Sequence, residues 1–394
     1  MGTKQDSISE DEAAKLLAAL VAIPSVNPHF RLPGDPDDWF DEARAGAFVA
    51  DWLSQRGIEV EVDEVMPGRP NVIARLRGTG GGPRMIWEGH LDTVQVTGMD
   101  APFSPRVEGR RLYGRGAVDD KGCLTAFMLA LASLADDPPA GDVTFVAAAD
   151  EEYRFAGISH HLKRGESYDL GVAGEPTNLS IVRACKGCVR WYVEIHGRPA
   201  HTAKPHEGTD AIAAARRLLS AFEAEMAGRT ESHPLLGPAT LVCTGFEAGE
   251  GPNTVPSRAM LRFDYRYLPS ETGETVWRSF KDLTAKVAGQ QQGGARFTVH
   301  EPFIDSSAMD VAEDTSIVRL FGEICRDRGI DPTPTGVPYG SDATKMVNVG
   351  GVPTIIFGPG SIEQAHARDE FVDLAEVAEA ARMLADAARR AARF

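Results

Sequence analysis

Five short stretches of this 394-residue chain set histidines or acids at the ends of apolar runs. EGHLDTV (88–94) places His90 two residues before Asp92, and residues two apart share a face while strand geometry lasts. A carboxylate beside a histidine suits a metal ligand whose ring is oriented by a neighbouring acceptor. The alternative is a strand-end histidine followed by a turn aspartate. GRGAVDDKG (114–122) puts Asp119 and Asp120 in a glycine-bounded loop before a helix. The pair can serve as N-cap residues, and Asp120 fits that role. Asp119 can also present both carboxylate oxygens to two cations held about 3.5–4 Å apart.

The other three stretches repeat the theme. In AAADEEYRFAG (147–157) a buried strand runs into Asp150, Glu151 and Glu152. Like charges at the end of a core strand repel and lose solvation, so they call for a cation unless the turn is solvated. The apolar run LGVA ends in GEPT (174–177) with Glu175, and TIIF leads to GPGSIEQAHARDE (358–370) with His366. Taken together, five strand or loop ends deliver His, Asp, Glu, Glu and His. That is the ligand mix of a divalent pair such as zinc.

Other residue classes carry less. His29, His160, His161, His196, His206, His233 and His300 read as surface or helix-end residues. Cys185-x-x-Cys188 lacks a second pair at structural-zinc spacing and reads as buried thiols. No nucleophile elbow, phosphate-binding loop or dinucleotide fingerprint is present. The 41 basic and 57 acidic residues give a net charge of −16, which argues against nucleic acid as a partner. No segment approaches the roughly 20 apolar residues of a membrane span. The opening MGTKQDSISEDE lacks the basic region of a secretory signal, and five scattered cysteines suit a reducing compartment, so a cytoplasmic protein is expected.

These residues need elements to position them. Ser9-x-x-Glu12 is a capping box opening a helix that ends before Pro24. A second helix is predicted over 43–56, strands over 58–65, 71–78, 84–89 and 143–150, and a helix over 121–134. Strand and helix alternate, which predicts an α/β sheet flanked by helices, with active residues beyond its strand ends. From about residue 185 the order changes to βαββαβ, with strands at 189–197, 240–249, 258–268 and 295–301 and helices at 209–227 and 273–288. The catalytic α/β domain is therefore expected as two parts, 1–184 and 299–394, interrupted by a smaller α+β domain at 185–298.

In this order and at these spacings, EGHLDTV, GRGAVDDKG, ADEE, GEPT and GPGSIEQAHARDE resemble the dinuclear-zinc amidohydrolases. That family includes acetylornithine deacetylase, succinyl-diaminopimelate desuccinylase, aminoacylase and glutamate-releasing carboxypeptidase. The resemblance runs over essentially the whole chain. It implies a zinc-peptidase-like catalytic domain and two divalent metal ions, with Zn2+ expected and Co2+ or Mn2+ as alternatives. Asp119 would bridge the ions, His90 and Glu175 would complete one site, and Glu152 and His366 the other. Glu151 would be the general base acting on a metal-bridging water, with Asp92 orienting His90. GRPAHTAKPHEGTDAI (197–212) resembles a loop whose histidine, here His201, reaches the active site of a partner subunit. Asn253 and Arg266 match positions that bind the substrate's carboxylate end. The inserted domain is then a lid and dimerisation domain, and the protein a homodimer.

The activity implied is hydrolysis of the amide bond of N-acyl amino acids, of the acetylornithine deacetylase type. A dipeptidase or carboxypeptidase of the same family is the alternative, and a catalytically silent binding or assembly protein on the same fold a more distant one. Tyr153 stands where the family usually has glycine, and Asp120 where methionine is common. The stretch 27–42 is longer and more aromatic than the family pattern.

Overall fold

The computed structural model describes residues 8–290 and 294–394, so the reading of the opening residues lies outside the described part. The described residues form two compact units, one of 8–183, 311–335 and 341–394, the other of 184–290, 294–310 and 336–340.

In the larger unit the chain begins with α1 (Glu10–Val21), where Ser9 and Glu12 cap each other's backbone as the capping box predicts. There follow α2 (Glu42–Ser54), β1 (Glu59–Met66), β2 (Arg69–Leu76), β3 (Met85–His90), β4 (Arg106–Glu108) and β5 (Arg111–Tyr113). Next come α3 (Lys121–Ala135), β6 (Val143–Ala148), α4 (Glu151–Arg154), α5 (Ala156–Leu162), β7 (Leu170–Ala173) and β8 (Val182–Cys185), the strand on which the chain passes to the smaller unit.

The smaller unit holds β9 (Gly187–His196), α6 (Ala211–Gly228), β10 (Ser232–His233), β11 (Gly237–Pro238), β12 (Thr240–Ala248), β13 (Arg258–Tyr267), α7 (Gly273–Gly289), β14 (Arg296–Val299), β15 (Ile304–Ser306) and β16 (Met309–Asp310). The chain then returns through α8 (Ser316–Asp327), β17 (Thr335–Val337), α9 (Ala343–Asn348), β18 (Thr354–Ile356), β19 (Phe371–Asp373) and α10 (Leu374–Arg390).

The expected α/β sheet is present as a mixed sheet, with strand order β1-β2-β6-β3-β7-β18-β8 in the larger unit. Its four middle strands, β6, β3, β7 and β18, are mutually parallel. They are buried along their whole length, as strands covered on both faces must be. Trp87 and Val172 face the cluster formed with α3, α8 and α10, where Trp87 stacks near Phe127. On the opposite face Gly171 lies against Thr354 and Met346 of α9. A separate three-stranded sheet, β19-β5-β4, stands beside this core.

In the smaller unit β12-β13-β9-β14 form an antiparallel sheet, with β15 also pairing with β9. Val189, Trp191, Val193 and Ile195 alternate toward α6 and α7, whose apolar faces supply Phe222 and Phe280. This unit runs on to Asp310, beyond residue 298 where the sequence reading ends the insert, because Ile304, Asp305 and Ser306 add backbone pairs to β9. Cys185 and Cys188 are buried thiols that form no disulfide. Among the described residues no helix is long and apolar enough to cross a membrane.

Candidate active site

Parallel strands present their C-terminal ends along one edge of a sheet, and the acids and His90 stand on that edge. His90 ends β3 and is in register with Ala148, the last residue of β6, so Asp150, Glu151 and Glu152 emerge beside it. Glu88 pairs with Ala173 at the end of β7, which brings Glu175 level with His90. The loop after β18 carries His366, whose backbone takes a positive φ of 61°. The loop before α3 supplies Asp119.

One carboxylate joins the two histidines. Asp119 Oδ1 lies 3.0 Å from His90 Nε2, and Asp119 Oδ2 lies 3.2 Å from His366 Nε2. His366 Nε2 is also 3.4 Å from Glu152 Oε1. Ligand atoms of His90, Asp119 and Glu152 fall within 4.8 Å of one another, as do those of His90, Glu151 and Glu175. All five residues named as ligands, and Glu151, are therefore brought together. Glu151 lies as close to His90 and Glu175 as a ligand would, so geometry alone leaves its part open between base and ligand.

The charge balance bears on what the cluster can hold. Burial pushes Glu152 up to about 7, with the Asp119 charge adding to the effect. Burial likewise raises Glu151 and Glu175 far above the usual carboxylate range. His366 is pushed up to about 10, first by its hydrogen bond to Asp119 and then by Glu152. For Asp119, burial acts upward but the two histidines outweigh it and hold the carboxyl well below its usual range. Glu152 Oε1 is buried, with the His366 ring nitrogen as its charged neighbour. Four clustered acids against two imidazoles suit divalent cations better than they suit each other. The donor set of imidazole and carboxylate fits zinc and its neighbours.

The orienting residues are mostly ones that sequence motifs do not announce. Asp92 accepts from the backbone N–H of Glu151 (3.0 Å) and of Glu152 (3.2 Å), and its carbonyl lies 2.9 Å from His90 Nδ1. Asn27 donates to both Asp92 (2.8 Å) and Asp150 (2.9 Å). Arg69 pairs with Asp150 at 2.8 Å and with Glu42, and Glu42 accepts from the Asp150 N–H. This network holds Asp150 at a φ of 63°, a left-handed conformation that aspartate adopts at some cost, at the corner from which Glu151 and Glu152 project.

One reading changes, and two of the histidines gain a partner. The Asp120 side chain makes no capping bond; its Oδ2 accepts from the His90 N–H at 3.0 Å. Gly89 permits this, since a Cβ there would lie 2.7 Å from that oxygen. His161 is not at the surface but fully buried, 2.8 Å from the Tyr168 hydroxyl. His29 is exposed but stacks on Tyr153, directly after the acidic run, with ring centroids 3.2 Å apart.

In the smaller unit His201 and Asn253 are neighbours. His201 bridges to Thr254, and the Thr202 N–H donates to the Asn253 carbonyl at 3.1 Å. Both residues are exposed. Arg266 lies elsewhere, opposite Cys188, whereas the loop carrying His201 follows His196, which pairs with Arg258. Eight residues of strand separate the two ends, roughly 27 Å at about 3.4 Å per residue. Arg266 and Arg190 share the Asp264 carboxylate, at 2.8 and 2.6 Å.

The sequence model of peptidase family M20/M25/M40 matches residues 86–390. The chain belongs to that family. This M20-family chain is a hydrolase of amide bonds, as the motifs imply. It is 28% identical over 352 residues to an acetylornithine deacetylase of Aliivibrio salmonicida, covering 85% of this chain and 89% of the relative. It is 29% identical over 394 residues to a succinyl-diaminopimelate desuccinylase of Methylorubrum extorquens, covering 94% and 96%. Its fold is similar to the crystal structure of a tripeptidase from Staphylococcus aureus, with a TM-score of 0.80 at 21% identity over 98% of this chain and 99% of the other.

Proposed function

We propose that this M20-family protein is an N-acyl-amino-acid deacylase of the acetylornithine deacetylase type, working with two divalent ions, Zn2+ by preference. The observation that carries the proposal is Asp119, whose two oxygens each face a histidine ring nitrogen. In this reading His90 and Glu175 would hold one ion, Glu152 and His366 the other, and Asp119 would serve both. When bound, the ions would supply the charge that makes water acidic and polarises an amide carbonyl.

The chain's own groups do the rest. Glu151 takes the proton of the attacking water and delivers it to the departing amine. Asp92, by accepting from the Glu151 and Glu152 N–H groups, keeps that turn aimed at the cluster while orienting His90. Two arginines on one Asp264 carboxylate leave a net positive charge, and Arg266 would offer it to the carboxylate of the substrate. The partner subunit's His201, with Asn253 beside it, would steady the developing oxyanion. The distance between Arg266 and His201 along one sheet supports this division, since a single copy of the unit does not bring both to one small ligand. The smaller unit then serves as lid and dimerisation domain. Its edge strand β12 carries exposed Val242 and Phe246, the kind of unpaired apolar edge that a second copy would cover.

The relatives' names favour acetyl or succinyl groups on diamino acids. The test is metal analysis of purified protein together with turnover of acetylornithine, other N-acyl amino acids and a set of dipeptides. Two ions per chain and preferred turnover of acyl amino acids are expected. Preference for dipeptides would move the assignment to a dipeptidase, and no turnover of either class would reject the proposal.

A further inference from the structure

Glu370 lies four residues after His366 and is only 1% exposed. Its side chain accepts four hydrogen bonds, all from the loop that leads to Asp119. Arg115 Nη1 and the Gly116 N–H donate to Oε2 at 2.6 and 3.0 Å, and the Val118 and Asp119 N–H groups donate to Oε1 at 2.9 and 3.1 Å. Its carbonyl accepts from the Gly114 N–H at 3.1 Å. An ionised carboxylate has about four acceptor sites, so this one is fully used.

The register of the small sheet explains the meeting. Phe371 of β19 pairs with Tyr113 of β5, so the residue before one strand faces the residues after the other. The Gly116–Asp119 stretch precedes α3 and pairs with no strand, so without Glu370 three of its buried N–H groups would lose their acceptor. Arg115, 3% exposed, supplies the countercharge that lets a carboxylate be buried there.

We infer that Glu370, with Arg115, is a positioning residue that fixes the Asp119 loop against the His366 loop and so sets the ion site between them. The inference rests on the dinuclear reading above. It differs from a role in folding alone, in which Glu370 would only staple β5 to β19.

The experiment measures Zn2+ affinity by competition with a chromophoric chelator and the absorption of the Co2+-loaded protein, in wild type and in Glu370→Gln. The variant keeps the shape but turns a donor toward one of the two pairs of donors, Arg115 with Gly116 or Val118 with Asp119. Affinity for the more weakly held ion should fall about 10–100-fold, the range for removing groups that orient ligands, with a changed Co2+ spectrum. Phe371→Ala is the control: Phe371 pairs with Tyr113 in the same small sheet and its ring packs on Tyr113 and Arg111 of β5, so it should lower the thermal midpoint while leaving both metal readouts alone.

If Glu370→Gln behaves like Phe371→Ala, with unchanged affinity and spectrum, the inference is overturned. Should Glu370→Gln fail to fold, Arg115→Lys decides in its place. It keeps the charge but loses the fork, so a smaller loss of affinity is expected, and wild-type affinity overturns the positioning role. Wild-type protein that binds a single ion would instead remove the dinuclear reading. Weakened binding of that ion in the variant would still uphold the positioning role, and unchanged binding would end it.

Discussion

The two ends of the metal cluster are built differently. At one end His90 completes a core strand, its side chain is 1% exposed, and its backbone N–H and ring Nδ1 are held by Asp120 and the Asp92 carbonyl. At the other, His366 hangs on a loop with a positive φ and its side chain is 54% exposed. Its ring contacts are the carboxylates of Asp119 and Glu152. The sheet therefore pre-forms one half of the site, while the other half depends on how two loops are tied together. The half that meets solvent is also the half that Glu370 steadies. Pre-formed ligands bind without an ordering cost, and ligands on loops pay for ordering when the ion arrives.

The largest test of this contrast removes the residue common to both ends. Asp119→Ala should reduce bound metal from two ions per chain to nearly none, read by elemental analysis after gel filtration. His366→Ala should keep the ion at the His90 end, and a chelator should strip the His366 end of wild type first. A full-occupancy ion that survives Asp119→Ala would show that the two ends are independent sites.

Next in size is the split within the acidic run. Glu151→Gln should keep both ions and lose kcat by about 10²–10⁴, the range for deleting a general base. Glu152→Gln should lose an ion as well as activity. Exchange of these two behaviours would mean that Glu151, which lies close to His90 and Glu175, is the ligand.

His201 asks whether the open end is finished by a second subunit. His201→Ala should lower kcat by roughly 10²–10³ with metal content unchanged, as for loss of an oxyanion donor. Mixed with Glu151→Gln after verified subunit exchange, it should regain partial activity, because some heterodimers hold one intact site. A mixture as inactive as its parents would place His201's action within its own chain or outside catalysis.

The smallest effect is on stability. In metal-free protein, burial raises Glu152 and Asp120 to about 7. A carboxyl whose folded pKa is raised stabilises below its unfolded value and loses that contribution as pH rises through the folded one. The thermal midpoint of the chelated protein should therefore fall as pH rises from about 5 to about 7, and zinc-loaded protein should show less of this slope. Parallel slopes in scanning calorimetry would mean that the ions do not neutralise the cluster.

Much of the site is legible in the sequence because its signal is local. An apolar run that stops at His90, Glu151 or Glu175 announces a buried strand whose end carries a charge, and this needs no knowledge of neighbours. Glu370 and Glu42 show no such sign. Glu370 sits in the stretch that carries His366, yet nothing in ARDE tells its acid from a solvated one. Glu42 lies in the first turn of α2, where an acid is unremarkable. Asn27 sits in a stretch legible only as unusual, and His161 looks like any histidine near a helix end.

The sequence by itself determined the α/β order, the strand ends that carry the acids and histidines, and the family chemistry those residues imply. Each depends on residues a few positions apart, read through the periods of strand and helix. Tertiary structure alone decided which acids meet. Asn27 reaches Asp150 across 123 positions, and Glu370 reaches Arg115 across 255. Such contacts follow from strand register and from the closing of a small separate sheet. Both are set by how apolar faces pack across the whole fold, and no local pattern of residue types encodes them.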